Sequence, residues 1–105
     1  MNSKTFAIPV IGEYRIGNKT YTCKESECIS LYDVGRGHFT YHTTWFWACT
    51  TFYLPDNRTF SFNFGDGIGT HIETSDKALE DFIIINGKHY KLDNTRMKYD
   101  PNNFI

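Results

Sequence analysis

The chain has 105 residues, enough for one domain with a thin core and too few for two. Its 11 Lys and Arg residues nearly balance 12 Asp and Glu residues, which gives a formal net charge of -1 at pH 7. A nucleic-acid binder or a polybasic membrane-surface binder needs a basic patch, so this balance argues against both classes. Aromatic residues make up 17% of the chain, an unusually rich supply for a domain of this size.

The N-terminus and the cysteines bear on the compartment. The apolar run of residues 6–12 is interrupted by Pro9 and is too short for a signal peptide or a membrane span. Cys23, Cys28 and Cys49 are an odd number of cysteines, and their spacing is not that of a zinc site. We therefore expect reduced, partly buried thiols in a cytoplasmic protein with no transmembrane segment, no metal site and no cofactor.

The first half of the chain alternates in the manner of strands. Residues 14–16 and 19–23 flank Gly17-Asn18, which predicts a hairpin with a two-residue turn. A single helical turn is expected over residues 24–28, and a short strand over residues 29–33.

The middle of the chain gives the strongest strand signal. Residues 45–54 are almost all strand formers, and residues 55–57 then predict a turn. Residues 58–64 alternate Phe with polar residues, which predicts a half-buried strand paired antiparallel with the preceding one.

The last third contains a glycine break, a polar loop and a second hairpin. Residues 65–69 interrupt the alternation, and residues 70–78 resemble a surface loop. Asn86-Gly87 separates the apolar residues 79–85 from residues 88–92, the best short hairpin signal in the chain, and residues 95–99 are a candidate last strand. The expected fold is all-β and antiparallel, a barrel or sandwich of seven to nine strands with little or no helix.

Several motifs favour ordinary structural roles. The alternating Gly65, Gly67 and Gly69 are not followed by the Lys and helix of a phosphate-binding loop, so a tight turn or bulge is the favoured interpretation. The histidines do not cluster in the manner of metal ligands; they are His38, His42, His71 and His89.

The aromatic segment 45–49 admits two interpretations. Trp45, Trp47 and Cys49 share one face, while Phe46 and Ala48 share the other, so the strand is expected to be central in its sheet. The tryptophan face is either part of the core or the wall of a cavity for an apolar ligand.

The order of these motifs along residues 8–100 resembles a known family. The matching elements are Asp33, Arg36-Gly37, Tyr41, Trp45-Phe46-Trp47-Ala48, Asn63-Phe64-Gly65, Gly67, Glu80-Asp81-Phe82 and Asn86-Gly87-Lys88. The sequence is similar to the C-terminal part of domain-of-unknown-function family 2804. One departure is Asp81, which stands where the family pattern has an Asn amide.

The resemblance implies a fold and leaves the activity open. The family resembles the lipocalin-like carotenoid hydratase and tocopherol cyclase group, so the resemblance implies a lipocalin-like barrel or half-barrel. Residues 1–105 are then a single β domain that forms a portion of a longer family domain. A second copy of the chain or a missing partner segment is expected to complete the sheet.

The first hypothesis is a binding module for a small apolar or amphipathic ligand. Tyr41, Trp45 and Trp47 would line the cavity, Asn63 would make a polar contact, and Arg36 would anchor an acid group.

Two alternatives remain. In an acid/base enzyme of the hydratase or cyclase type, Asp33 or Glu80 would donate the proton with help from His38. In a truncated family member with only a structural or interaction role, Arg36 and Asp33 would form a buried pair.

Overall fold

The computed structural model describes residues 2–38, 46–66, 81–93 and 95. These residues contain eight strands and no helix, which confirms the expected all-β class. In chain order the strands are β1 (Asn2–Pro9), β2 (Gly12–Ile16), β3 (Lys19–Cys23), β4 (Ile29–Gly35), β5 (Phe46–Tyr53), β6 (Thr59–Asp66), β7 (Phe82–Ile85) and β8 (Lys88–Lys91).

The eight strands form three antiparallel sheets. Strand β1 pairs with β4, β2 pairs with β3, and the strands β5, β6, β7 and β8 form a four-stranded sheet in that order. Over the described ranges these sheets do not join into one closed barrel, and the expected lipocalin-like half-barrel stays a prediction. No helix in the described part of the chain is both long and apolar enough to cross a membrane.

Three turns connect neighbouring strands as the sequence predicts. Gly17 has a φ of 59° in the β2–β3 hairpin, while Asn86 and Gly87 have φ of 48° and 81° in the β7–β8 hairpin. These left-handed conformations suit Asn and Gly, because a larger side chain would strain them. Between β5 and β6, the Leu54 N–H donates to the Arg58 carbonyl at 2.7 Å and closes the turn. The predicted single turn before β4 is also present, since the Cys28 N–H donates to the Lys24 carbonyl at 2.9 Å.

Strand β1 is an element that the sequence reasoning did not predict. Its register against β4 runs from Asn2 opposite Gly35 to Pro9 opposite Ile29, with a shift between Thr5 and Ile8. Ala7 lies inside this shift with a φ of 56°, the geometry of a β-bulge. The bulge and Pro9 break the alternation that would have identified a strand, because each disturbs the period of two.

Among the described strands, β5 lies at the edge of the four-stranded sheet and pairs only with β6, so the described part of the chain does not show the expected central position. Strands β1 and β4 both contact β5, yet Trp47 and Phe52 of β5 are each 42% exposed. The strand is therefore only partly buried.

The most deeply buried side chains are polar. Ser61, Asn63 and Asp81 are 1%, 0% and 6% exposed, and no hydrophobic residue in the described ranges reaches the same degree of burial. Phe60 and Phe62 alternate with them on the opposite face of β6 and are only half-buried. The strand is half-buried as predicted, but its polar face is the one that lies deepest.

Some expectations fall outside the described residues. These are the surface loop 70–78, the strand 95–99 apart from Thr95, and the glycines Gly67 and Gly69. Gly65, the first glycine of the predicted break, instead continues β6, which extends to Asp66.

Candidate functional site

The face of the four-stranded sheet that meets the β1–β4 sheet, here called the inner face, carries a row of polar side chains. The antiparallel register places Trp47 opposite Gly65, Cys49 opposite Asn63, and Thr51 opposite Ser61. Directly opposed residues of two strands point to the same face of a sheet, so these residues form one continuous row.

Hydrogen bonds between β5 and β6 side chains satisfy the polar groups of this row. The Trp47 indole N–H donates to Asn63 Oδ1 at 2.8 Å. The Thr51 and Ser61 hydroxyls share a hydrogen bond of 2.8 Å. A buried polar group without a partner costs free energy. These hydrogen bonds offset that cost for the polar row, which lies between two sheets.

A charged pair from the β1–β4 sheet closes over the row. The Lys4 ammonium donates to Asp33 Oδ2 at 2.7 Å, with side chains that are 13% and 26% exposed. The same ammonium lies 4.8 Å from the centroid of the Trp47 ring, within the range of a cation–π contact. Lys4 therefore links a carboxylate of one sheet to an aromatic ring of the other.

Cys49 lies within the electrostatic influence of this pair. Burial raises the pKa of the Cys49 thiol above its ordinary value, the Lys4 charge lowers that pKa, and the Asp33 charge raises it. The net direction is upward, so the thiol form is favoured. The thiol is half-buried, and its environment argues for a protonated group rather than a reactive thiolate.

Asp81 fixes the end of β6 beside the row. Its Oδ1 accepts a hydrogen bond of 2.8 Å from the Gly65 backbone N–H, and its carbonyl accepts one of 2.9 Å from the Leu92 N–H. Asp81 therefore acts as a hydrogen-bond acceptor through both its side chain and its backbone. A side-chain amide could offer the same acceptor oxygen to Gly65.

Aromatic rings flank the polar row. Phe6 of β1 meets Phe82 of β7 edge to face, with ring centroids 5.5 Å apart and an interplanar angle of 84°. Phe82 also contacts the His89 ring at 4.6 Å. The contact between the two sheets thus combines an apolar aromatic side with a hydrogen-bonding and charged side.

The structure brings together three of the residues singled out from the sequence. Asp33, Trp47 and Asn63 belong to the connected set that Lys4 completes. Arg36 and His38 follow β4 in an exposed segment. The remaining candidates, Tyr41, Trp45 and Glu80, lie outside the described residues.

The predicted buried pair of Arg36 with Asp33 is wrong. Arg36 is exposed, and Asp33 makes its ion pair with Lys4. The strand register explains the change, because Lys4 of β1 lies directly opposite Asp33 of β4. No sequence motif marks β1 or Lys4, so the local pattern predicts neither.

The site has the chemistry of hydrogen bonding and charge pairing. Within the described ranges, no three His, Cys, Asp or Glu side chains come together as metal ligands. The Asp33 carboxylate pairs with the Lys4 ammonium. Proton donation by Asp33 or Glu80 with help from His38 stays a prediction.

Comparison with known proteins gives one match. A family model described as "Domain of unknown function (DUF2804)" matches residues 1–105. No curated protein and no solved structure matches the chain.

Proposed function

Since the chain belongs to the DUF2804 family, whose description gives no activity, we propose a function from its geometry: it binds a small amphipathic ligand between its sheets. The carrying observation is the polar row of the inner face, closed by the Lys4–Asp33 pair and flanked by aromatic rings. A ligand with an apolar body and a polar head matches both parts of this space. Binding sites of this kind are mostly apolar with a few convergent polar groups.

The head of the ligand would meet Lys4 and Asp33. This pair offers an ammonium and a carboxylate within 2.7 Å of each other, so it can donate to and accept from one head group. Their partial exposure, 13% and 26%, supports access to the pair from solvent. The proposed head group is therefore a carboxyl or hydroxyl.

The body of the ligand would lie along the aromatic rings. Trp47 is 42% exposed despite its place on the inner face, so much of its ring is open to contact. Each Å² of apolar surface removed from water contributes roughly 25 cal/mol, which favours a ligand with a hydrocarbon or isoprenoid body.

Tryptophan fluorescence tests the proposal. Purified full-length chain, shown to unfold cooperatively, is titrated with a fatty acid, a fatty alcohol and an isoprenoid alcohol, and with an alkane of matched length. We expect saturable quenching by the polar-headed compounds and at least about tenfold weaker binding of the alkane, a difference of about 1.4 kcal/mol. If none of these compounds quenches the tryptophan fluorescence saturably, ligand binding is refuted.

A matched pair of variants tests the location of the head group. Lys4→Met removes the ammonium that lies above Trp47. The control variant, Lys24→Met, breaks an exposed ion pair of 3.3 Å with Glu27 in the turn between β3 and β4. Lys4→Met should lower the affinity for the fatty acid and leave the alkane unaffected, and Lys24→Met should change neither. Unchanged fatty-acid affinity in a folded Lys4→Met variant would place the head group elsewhere.

A further inference from the structure

Two cysteines stand on either side of the turn that joins β3 to β4. Cys23 is the last residue of β3, and Cys28 immediately precedes β4. The Glu27 and Cys28 N–H groups both donate to the Lys24 carbonyl at 2.9 Å. This turn reverses the chain within four residues, and the two cysteines stand at its two ends.

The Cys23 and Cys28 side chains influence each other. A hydrogen bond between the Cys23 and Cys28 side chains raises the pKa of Cys23, and burial and the charge of Cys28 add to the same direction. Both cysteines are half-buried and free. A disulfide between them requires Cα atoms about 4.4–6.8 Å apart, a span that a short turn between two cysteines can provide.

We propose that Cys23 and Cys28 are a reversible oxidation site, at which an intramolecular disulfide forms by exchange with a low-molecular-weight disulfide. One cysteine thiolate attacks the small disulfide, forms a mixed disulfide and releases one small thiol. The second cysteine thiolate then attacks the sulphur of the first cysteine and releases the other small thiol. The cysteine pair loses two protons and two electrons, and the small disulfide is reduced to two thiols.

The third cysteine is set apart from this pair. Cys49 lies on β5 opposite Asn63, and its electrostatic partners are Lys4 and Asp33. Burial is the main cause that raises the pKa of Cys49, whereas contact between two thiols is the main cause for Cys23. Oxidation should therefore join Cys23 to Cys28 and spare Cys49.

The disulfide would act on the attachment of the β2–β3 hairpin. Among the described strands, β2 and β3 contact only each other. The base of the hairpin is held to the rest of the chain where the Val10 N–H donates to the Cys28 carbonyl at 3.1 Å. A bond from Cys23 to Cys28 adds a covalent link at this base, so it limits how far the hairpin can swing.

Redox titration of the full chain tests the site. The protein is equilibrated in glutathione buffers of graded thiol-to-disulfide ratio, quenched with N-ethylmaleimide and analysed by intact mass and peptide mapping. We expect a species that has lost two hydrogen atoms, carries one alkylated cysteine at Cys49, and gives a linked Cys23–Cys28 peptide. Three alkylated cysteines across the whole series, adducts with glutathione alone, or a disulfide that includes Cys49 would each overturn the proposal.

Single cysteine variants provide the controls. Cys49→Ser should keep the internal disulfide at the same buffer ratio. Cys23→Ser and Cys28→Ser should each lose it and carry one glutathione on the remaining partner. An internal disulfide that persists in either of these two variants would assign the bond to another pair.

Hydrogen exchange tests the effect on the hairpin. The Val10 amide should exchange several-fold more slowly in the oxidised chain, because the covalent link restrains the carbonyl of Cys28 that accepts its hydrogen bond. Equal exchange at Val10 in the two redox states would overturn the proposed restraint of the hairpin base.

Discussion

The two faces of the four-stranded sheet reverse the usual relation between polarity and burial. On β6, Ser61 and Asn63 of the inner face are 1% and 0% exposed, whereas Phe60, Phe62 and Phe64 of the outer face are only half-buried. The difference follows from the β1–β4 sheet, which packs on the inner face. Burial is therefore decided by what covers a face, while alternation in the sequence shows only that the two faces differ.

The two faces are also held together by different forces. Polar groups of the inner face bond to one another and to the backbone, as Asp81 does with Gly65. On the outer face the rings pack on their neighbours: Phe62 stacks on Phe64 at 4.7 Å, and Phe52 meets Phe60 at 5.3 Å. Directional bonds fail abruptly when one partner is removed, whereas partly exposed ring contacts fail gradually.

The sharpest test of this comparison exchanges polarity on each face. Asn63→Leu adds an apolar side chain inside but leaves the Trp47 N–H without its acceptor, so we expect a loss of about 2–3 kcal/mol of unfolding free energy. Phe52→Thr removes a ring that is 42% exposed, so a loss of about 1 kcal/mol or less is expected. Denaturant unfolding of both variants measures the difference.

An opposite ranking would break the comparison. If Phe52→Thr is the more destabilising of the two, the outer face is covered in solution, by another part of the chain or by a partner. Measurement at several protein concentrations separates these cases, because only covering by a second molecule makes the stability depend on concentration.

The Asp81 contact provides the second test of the inner face. Asp81→Ala leaves the Gly65 N–H buried without its acceptor and should cost about 1–2 kcal/mol. Asp81→Asn keeps an acceptor oxygen and should stay close to the unchanged chain, in line with the amide of the family pattern. Thermal unfolding separates the two, since 1 kcal/mol corresponds to about 4–8 °C for a domain of this size. Equal losses would mean that the charge of Asp81, rather than its acceptor oxygen, is required.

Much of the strand order could be predicted from the sequence, because turn chemistry is local. Gly17-Asn18 and Asn86-Gly87 mark their hairpins through residues that tolerate a positive φ, and the structure has both turns. Strand β1 could not be predicted, because its bulge at Ala7 breaks the alternation. The edge position of β5 was also hidden, since the pairing of distant strands leaves no local signal.

The candidate site was predictable only in part for the same reason. Trp47 and Asn63 stood out as an unusual aromatic and a family-like amide, and the structure joins them. Lys4 was missed because its importance depends on the register of β1 against β4, which sets it opposite Asp33. The exposed Arg36 is nearer to Asp33 in sequence, so the sequence alone favours Arg36 as the partner of Asp33.

The Lys4–Asp33 pair allows a weaker test of the contact between the layers. Lys4→Met removes the ammonium that pairs with Asp33. Because both side chains are partly exposed, the expected loss of unfolding free energy is about 1 kcal/mol. Lys24→Met breaks a pair whose side chains are 66% and 59% exposed, and it should change stability by less than about 0.5 kcal/mol. Equal effects at low and at high salt would show that Lys4 acts through the packing of its side chain rather than through its charge.

The smallest expected effect is a shift in the titration of Cys49, which reports on the charges between the sheets without large changes in stability. Burial raises the pKa of this thiol, Lys4 lowers it and Asp33 raises it. Removing Lys4 should therefore raise the pKa of Cys49 further, whereas Asp33→Asn should lower it. Alkylation follows the thiolate fraction, so at a fixed pH below the pKa the reaction should be slower in Lys4→Met and faster in Asp33→Asn.

Alkylation rates of Cys49 across a pH series, followed by mass spectrometry in a Cys23→Ser/Cys28→Ser background, measure both shifts. A shift in the same direction in both variants would indicate a change in the burial of Cys49, because only burial acts independently of the sign of the removed charge. Opposite shifts would show that Lys4 and Asp33 both face the inner surface of the four-stranded sheet. The polar row would then take part in an electrostatic contact between the two sheets. Among the described residues, the outer face has no such contact with another sheet.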